Sequence, residues 1–412
     1  MCKKYIYIIT VAILICLIIS PIFSFAADSM FVWSPDNTNN NSIIETSSNI
    51  NSSNPMEFES ESCILIEQST GTVLYEHNSH EQLRPASVTK VMTILLIMEA
   101  LDNGTLSLDD KIPCSERASS MGGSQIWLDT SENLTVHEML KAICVVSAND
   151  CTVAMAEYLA GSEEAFVEKM NSRAKELGMN DTYFKNCHGI DEDGHVTSSY
   201  DIALMSRELL LNHPKITEYT TIWMDSLRNG ESELVNTNKL IRNYQGATGL
   251  KTGSTSLALY NLSASATRND LSLIAVIMKA PSTKVRFSEA QKLLDYGFAN
   301  YSFKSFGAKG ETVKTINVEK GVTSTVNAVF ENSASVLFKK GEEKNIVQNI
   351  NINDSVTAPV YKGQRLGEVN FTLNGESIQT INIVAENDVG KINLWNMTTH
   401  LYDVWFNMCR NI

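Results

Sequence analysis

Residues 84–101 read RPASVTKVMTILLIMEAL, a segment in which apolar residues follow one another almost without interruption. The pattern predicts a helix from Ser87 to Leu101, with Pro85 immediately before its start. A helix that is hydrophobic all round belongs in the interior of a domain rather than on its surface. We therefore expect a folded domain to be built around this segment.

The chain on both sides of this helix predicts a sheet. Two short β-type runs at 63–66 and 72–75 are separated by Ser69-Thr70-Gly71, which predicts a hairpin. A second group of strands and a returning helix are predicted at 248–256, 260–266, 271–278 and 284–298. Helical periodicity alternates with polar turns from about 104 to 240, which predicts a helical subdomain. Strands from both ends with helices between them predict an α/β (α+β) domain over 57–302, whose sheet joins the two chain segments.

The C-terminal part of the chain has a different pattern. Short alternating runs with Gly and Asn between them predict a small all-β domain over 303–388. In the last segment, 389–412, the apolar residues recur at steps of three and four; they are Leu394, Met397, Leu401, Val404, Trp405, Met408 and Ile412. This spacing predicts one amphipathic helix face. With two tryptophans and few charges, the helix is typical of segments that lie on a membrane surface, the alternative being a helix that packs on the β domain.

The first 26 residues predict export. Lys3 and Lys4 precede an apolar run from Ile6 to Phe25, and Ser24-Phe25-Ala26 places small residues where a signal peptidase cleaves. We expect a signal peptide over 1–26, although an uncleaved membrane anchor is the alternative. An Asn- and Ser-rich segment follows at 27–56 and is typical of a flexible tether. Either alternative predicts an extracytoplasmic protein.

Charge and residue clusters exclude several function classes. The chain of 412 residues has a formal net charge of −14. Because nucleic-acid binding depends on Lys and Arg that neutralise phosphates, this charge argues against a nucleic-acid-binding protein. Asp191, Glu192 and Asp193 lie between two histidines, but no calcium loop of the required length follows, so we expect a solvated turn. We expect no metal and no cofactor. Six cysteines lie beyond residue 26, and the sequence leaves their pairing open.

The first of three short motifs is Ser87-Val88-Thr89-Lys90, at the start of the buried helix. Positions three apart share a helix face, so the Lys90 amine is expected to approach the Ser87 hydroxyl. An apolar environment disfavours the charged form of lysine, which makes Lys90 a candidate base. Alone, the motif is more typical of a helix cap with a snorkelling lysine than of a catalytic site.

The second and third motifs are Ser147-Ala148-Asn149, between two predicted helices, and Lys251-Thr252-Gly253, on a predicted strand. A hydroxyl and an amide in a turn can both face a cleft, whereas a helix N-cap is the structural alternative. A lysine and a hydroxyl on the strand offer charge and hydrogen bonds to a carboxylate, and Gly lets a peptide lie close. The three motifs stand in the order of the penicillin-recognising serine enzymes, and this order is what makes them informative.

The chain resembles the low-molecular-mass penicillin-binding proteins that act as D-alanyl-D-alanine carboxypeptidases. The resemblance covers about residues 55–412. Beyond the three motifs it rests on short segments that include RPAS at 84–87, GGS at 122–124, LGM at 177–179, NCHG at 186–189 and GLKTG at 249–253. It implies a β-lactamase/transpeptidase-like domain, then an all-β domain and an amphipathic tail.

The resemblance also implies a role for each site residue. Ser87 is the nucleophile, Lys90 its base and Ser147 a proton relay, while the backbone N–H groups of Ser87 and Ser254 form an oxyanion hole. Substrate-binding roles fall to Asn149, Lys251, Thr252, Gly253 and Arg286. Implied partners are peptidoglycan stem peptides ending in D-Ala-D-Ala, β-lactams, and the outer surface of the cytoplasmic membrane through 392–412.

Two positions depart from the family pattern. Thr248 stands where the family often has Asp, and Leu259 stands where it usually has Gly. A bulky side chain at 259 is expected to narrow the cleft. The alternatives to a carboxypeptidase are a β-lactamase or transpeptidase on the same scaffold, and a catalytically weak wall-binding protein.

Overall fold

The computed structural model describes residues 56–393 and 397–398. The predicted signal peptide, the Asn- and Ser-rich segment up to residue 55 and nearly all of the predicted tail helix lie outside the described residues. Within the described part, no helix is both long and apolar enough to cross a membrane.

The larger domain contains a short 3-10 turn, Ala86–Thr89, and helices and strands in the following chain order. They are β1 Ser62–Glu67, β2 Val73–His77, α1 Lys90–Asp102, β3 Lys111–Pro113, α2 Glu116–Ser119, β4 Asn133–Thr135, α3 Val136–Val145, α4 Asn149–Ala160, α5 Glu163–Glu176, α6 Ser199–Asn212, α7 Thr217–Thr220, β5 Met224–Leu227, β6 Ser232–Val235, α8 Leu240–Asn243, β7 Ala247–Thr255, β8 Leu259–Arg268, β9 Leu271–Ala280 and α9 Thr283–Asn300.

One antiparallel sheet joins the two ends of this domain, as predicted. Its strand order is β2-β1-β9-β8-β7, so the N-terminal hairpin pairs with the strands that follow the helical region. Leu65 of β1 lies opposite Ala275 of β9, and both are fully buried. Because β7 is the last strand of this order, it presents an edge to the helical region.

The central helix begins later than predicted. α1 starts at Lys90, and Ser87 belongs to the preceding 3-10 turn, where Val88 N–H donates to the Pro85 carbonyl. The helix is buried along almost its whole length, which confirms that it lies in the domain interior. The tight turn matters for the site, because it separates Ser87 from the regular helix that carries Lys90.

The C-terminal part is all-β, as predicted. Its strands are β10 Tyr301–Gly307, β11 Thr312–Glu319, β12 Thr325–Phe330, β13 Ala334–Lys339, β14 Ile346–Ile352, β15 Ser355–Thr357, β16 Arg365–Leu373 and β17 Glu376–Ala385. They form a six-stranded sheet of order β14-β16-β17-β12-β11-β15 and a separate pair, β10-β13. Fully buried Val369 and Phe371 lie in the core between them.

The cysteines of the described part are free thiols. All five are buried; they are Cys63, Cys114, Cys144, Cys151 and Cys187. Burial raises the pKa of the Cys63 and Cys144 thiols to about 12, so both stay protonated. These thiols therefore serve as small apolar core groups.

Candidate active site

Ser87 and Lys90 are in direct contact. Lys90 Nζ lies 3.0 Å from Ser87 Oγ, and the Lys90 side chain has no solvent exposure. The 3-10 turn brings the hydroxyl back over the first turn of α1, three residues before the lysine. The arrangement has the nucleophile-to-base geometry of covalent catalysis.

The Lys90 amine is held by three oxygen atoms. Besides Ser87 Oγ, it donates to Asn149 Oδ1 and to the His188 carbonyl, each at 2.6 Å. Burial, and then the charge of nearby Lys251, hold the pKa of Lys90 well below its usual value. A lysine with a lowered pKa is neutral for part of the time at ordinary pH, and the neutral amine can accept a proton.

The second motif lies between two helices. α3 ends at Val145 and α4 begins at Asn149, so Ser147 stands in the connecting turn with φ of +66°. Its Oγ is buried, and among the described residues it has no hydrogen-bond partner. A buried hydroxyl without a hydrogen-bond partner destabilises the fold unless a bound ligand supplies that partner. This favours a hydrogen bond between Ser147 and the substrate.

Asn149 connects this turn to the cleft. Its Oδ1 accepts from Lys90, and its Nδ2 donates to the Gly122 carbonyl at 2.7 Å. An amide nitrogen carries two N–H donors, so one remains for a substrate. The structure thus brings the first and second motifs together through a single side chain.

The third motif lies on the edge strand β7. Lys251 is 1% exposed, and burial lowers its pKa to about 7. Its Nζ donates to the Thr252 carbonyl at 3.0 Å, while Thr252 Oγ1 donates to Thr237 Oγ1 at 2.7 Å. The Thr252 hydroxyl oxygen keeps the capacity to accept a hydrogen bond.

Gly253 is required by the packing of two backbones. A Cβ at this position would lie 2.9 Å from the Pro85 carbonyl oxygen and from the amide nitrogens of Ser87 and Val88. The sequence suggested that Gly makes room for a peptide; the structure adds that it lets β7 reach the 3-10 turn. The next residue, Ser254, is thereby brought close to the turn that carries Ser87.

Arg286 is hydrogen-bonded to the strand that carries the third motif. It lies on α9, is 6% exposed, and donates from Nη1 to the carbonyls of Gly253 and Asn261, each at 3.1 Å. Its Nε is buried without a partner among the described residues. Burial lowers the pKa of its guanidinium to about 10, so it stays charged at neutral pH.

Sequence reasoning missed the part played by residues 186–189. In the sequence, that segment contributes only to the resemblance and has no predicted role in the site, yet the His188 carbonyl accepts a hydrogen bond from the Lys90 amine. At Gly189, whose φ is +90°, a Cβ would lie 1.9 Å from the Ala86 carbonyl oxygen, so only glycine fits against the turn. The Cys187 thiol is not a candidate nucleophile, because burial raises its pKa well above the usual value.

The two departures from the family pattern are both accommodated on β7 and β8. Thr248 Oγ1 lies 2.8 Å from Ser265 Oγ on the neighbouring strand. Leu259 has φ of +54°, in the left-handed region that favours glycine. For a residue with a Cβ this conformation costs about 1–2 kcal/mol. That cost gives a physical reason why glycine suits this position, and the effect of Leu259 on the cleft stays a prediction.

Comparison with known protein families gives matches to both parts of the chain. A family model described as D-alanyl-D-alanine carboxypeptidase matches residues 48–282. A model described as penicillin-binding protein 5, C-terminal domain, matches residues 301–391.

Relatives and solved structures agree with these matches. The D-alanyl-D-alanine carboxypeptidase DacF of Bacillus subtilis is 45% identical over 337 residues, which cover 81% of this chain and 86% of the relative. Penicillin binding protein 5 from Haemophilus influenzae superimposes with a TM-score of 0.71 at 30% identity, over 82% of this chain and 99% of that one. A penicillin-binding protein from Listeria monocytogenes in its ampicillin-bound form gives a TM-score of 0.55 at 30% identity, over 59% of this chain and 99% of its own.

Proposed function

This chain belongs to the D-alanyl-D-alanine carboxypeptidase family, and on that premise we propose that it removes the terminal D-alanine of peptidoglycan stem peptides through an acyl-enzyme on Ser87. The observation that carries the proposal is the contact between the Ser87 hydroxyl and a fully buried Lys90 whose pKa is lowered. A neutral amine at this distance is suited to take the hydroxyl proton.

Acylation begins when Ser87 Oγ attacks the carbonyl carbon between the two D-alanines and its proton passes to Lys90. The charge on the carbonyl oxygen is met by the backbone N–H groups of Ser87 and Ser254. As the C–N bond breaks, the proton moves through Ser147 to the leaving amine, and D-alanine departs. Support for the relay comes from the buried Ser147 hydroxyl, which has no other partner in the described part of the chain.

Deacylation reverses these proton transfers. A water molecule gives a proton to Lys90 and attacks the carbonyl carbon of the Ser87 ester. The bond from that carbon to Ser87 Oγ then breaks, Ser87 Oγ takes the proton from Lys90, and the shortened peptide leaves as a carboxylate. Lys251 has a supporting role, since its charge is among the causes that lower the pKa of Lys90. A β-lactam would enter at the first step and leave a long-lived ester on Ser87.

Binding of the substrate divides between the two sides of Ser87. Thr252 and Arg286 hold the terminal carboxylate, and Gly253 keeps β7 close to the nucleophile. The remaining N–H of Asn149 binds the peptide on the opposite side of the cleaved bond.

We place this catalytic domain at 57–302 and the all-β domain at 303–388.

Incubation with a peptide ending in D-Ala-D-Ala tests the proposed reaction. We expect release of one D-alanine per peptide, measured by an enzymatic D-alanine assay, with the shortened peptide as the other product. Predominant cross-linking of two peptides would show a transpeptidase instead. Rapid repeated hydrolysis of a chromogenic cephalosporin would show a β-lactamase, and no reaction with either substrate would leave a wall-binding protein.

We further propose that the exported protein is held at the outer surface of the cytoplasmic membrane by residues 392–412. Support comes from the apolar stripe in the sequence, with Asn396, Thr399, Asp403 and Asn407 on the other face. The acidic chain gives no attraction to anionic lipid, so binding would depend on apolar burial and only weakly on salt.

Removal of residues 394–412 is expected to release the protein from liposomes and leave hydrolysis of a soluble peptide unchanged. The truncation keeps Ile392, whose N–H donates to the Lys320 carbonyl of the β domain at 2.8 Å. Within the full tail, Leu401→Gln with Trp405→Gln should abolish sedimentation with liposomes, whereas Asn396→Gln with Asn407→Gln on the polar face should not. Sedimentation of the truncated protein, or its unfolding, would contradict the anchor and assign the tail to the β domain.

A further inference from the structure

Trp127 is exposed in an unusual way. Its side chain is the most exposed of the large apolar residues in the described part of the chain, at 77%, and its φ is +57°. Residues with a Cβ rarely adopt this left-handed conformation. Exposure of a large apolar ring to water brings no stability to the fold, so the exposure of this side chain favours a contact with a molecule outside the chain.

The backbone around Trp127 is clamped by a buried carboxylate. Asp150 is fully buried, and its Oδ2 accepts hydrogen bonds from the N–H groups of Ile126 and Leu128, each at 3.0 Å. These two residues are the immediate neighbours of Trp127. The conformation at 127 is therefore imposed by the carboxylate on both sides.

A second clamp acts on the carbonyl groups of the same loop. Arg228 donates to the Ile126 carbonyl at 2.9 Å and to the Trp127 carbonyl at 3.4 Å. The guanidinium is itself fixed by Glu132, at 2.6 and 2.7 Å. The indole is thus presented to solvent from a loop whose backbone is hydrogen-bonded on both sides of Trp127.

The loop is attached to Asn149 and to the residue that follows it. Asn149, which binds the Lys90 amine, donates from its own backbone N–H to the Ser124 carbonyl at 2.7 Å. Asp150, the next residue, holds Ile126 and Leu128. The loop that carries Trp127 is therefore held on the same side of Ser87 as Asn149.

Resting on the function proposed above, we infer that Trp127 binds the stem peptide upstream of the two D-alanines, with its ring packed on the apolar part of a substrate side chain. In the proposed binding mode Asn149 holds the peptide on this side of the cleaved bond. An indole offers a large apolar face and one N–H donor, which suits methylene groups next to a peptide carbonyl. Trp127 is a specificity-determining residue that acts only on substrates long enough to reach it.

The test compares two substrates of different length. One is N-acetyl-D-Ala-D-Ala, and the other is a pentapeptide with three residues before the same D-Ala-D-Ala. We expect Trp127→Ala to lower kcat/KM for the pentapeptide by about ten- to a hundredfold, the scale of one large apolar contact. The value for the short substrate should stay within twofold of the unmodified protein.

Two further variants separate the ring from the backbone. Trp127→Phe keeps a ring and should retain most of the preference for the long substrate, whereas Trp127→Asn, which tolerates the left-handed conformation, should lose it. Tyr158→Ala, which removes an aromatic residue 45% exposed on α4, is the matched control and should change neither rate.

Three results would overturn the inference. Equal losses on both substrates would make Trp127 a support of the site, and no loss on either would leave it without a role. A loss that appears only when the pentapeptide carries an N-acetylmuramyl group would assign the ring to the glycan. Failure of the proposed function is distinguishable from all three, because the unmodified protein would then release D-alanine from neither substrate.

Discussion

Replacement of Lys90 by arginine is expected to lower the rate of acylation by about two to four powers of ten, the usual scale for loss of a general base. Arginine keeps the positive charge but stays protonated at all accessible pH values, so it cannot take the Ser87 proton. The measurement is the second-order rate constant for acylation by a β-lactam, followed by mass spectrometry or fluorescence.

The pH dependence gives this prediction a second readout. Because burial and Lys251 lower the pKa of Lys90, the neutral fraction of this amine grows as pH rises through that lowered value. Acylation of the unmodified protein should therefore rise with pH and then level off. The acylation rate of Lys90→Arg should not show this rise with pH, because the guanidinium does not titrate in the pH range of the measurement.

A matched control separates base chemistry from the larger side chain. Lys169→Arg makes the same exchange on the exposed side of α5, where the amine donates to the Leu159 carbonyl at 3.0 Å, and should leave acylation unchanged. Thermal unfolding of both variants shows whether the buried guanidinium disturbs the fold. A folded Lys90→Arg variant with near-normal acylation would show that another group accepts the proton.

The sequence contained enough to predict most of the fold. The hairpin at 63–75 and the strands at 248–278 have β-type runs bounded by turn residues, and the structure pairs them in one sheet. The all-β domain was predictable for the same reason, since its alternation of apolar and polar residues persists over many short strands. The predicted start of α1 was wrong by three residues, because a 3-10 turn and the first turn of an α-helix have the same local composition.

Those features of the site that depend on backbone atoms were not predictable. The His188 carbonyl binds Lys90 across 98 residues of sequence, and a carbonyl group leaves no mark on residue type. The positive φ of Trp127 likewise follows from the hydrogen bonds that Asp150 and Arg228 make to the backbone around it, and not from local preference. By contrast, the spacing of Ser87 and Lys90 did predict their contact, since that contact is made within one short turn.

Gly253 shows how a motif can be recognised before its cause is known. In the sequence it belongs to a three-residue motif on a predicted strand, where a glycine was expected to let a substrate peptide lie close to the backbone. The structure shows that a methyl group there would meet three backbone atoms of the turn that carries Ser87. The glycine thus stabilises the arrangement of the nucleophile as well as leaving room for a peptide.

The most direct test of the account is the mass of the protein after incubation with penicillin. If Ser87 is the acyl nucleophile, the unmodified protein should gain the mass of one penicillin, and peptide mapping should place the adduct at Ser87. Ser87→Ala removes the only atom that forms the ester and should show no gain at any penicillin concentration that saturates the unmodified protein. A penicillin adduct that persists in a folded Ser87→Ala variant would contradict the central claim.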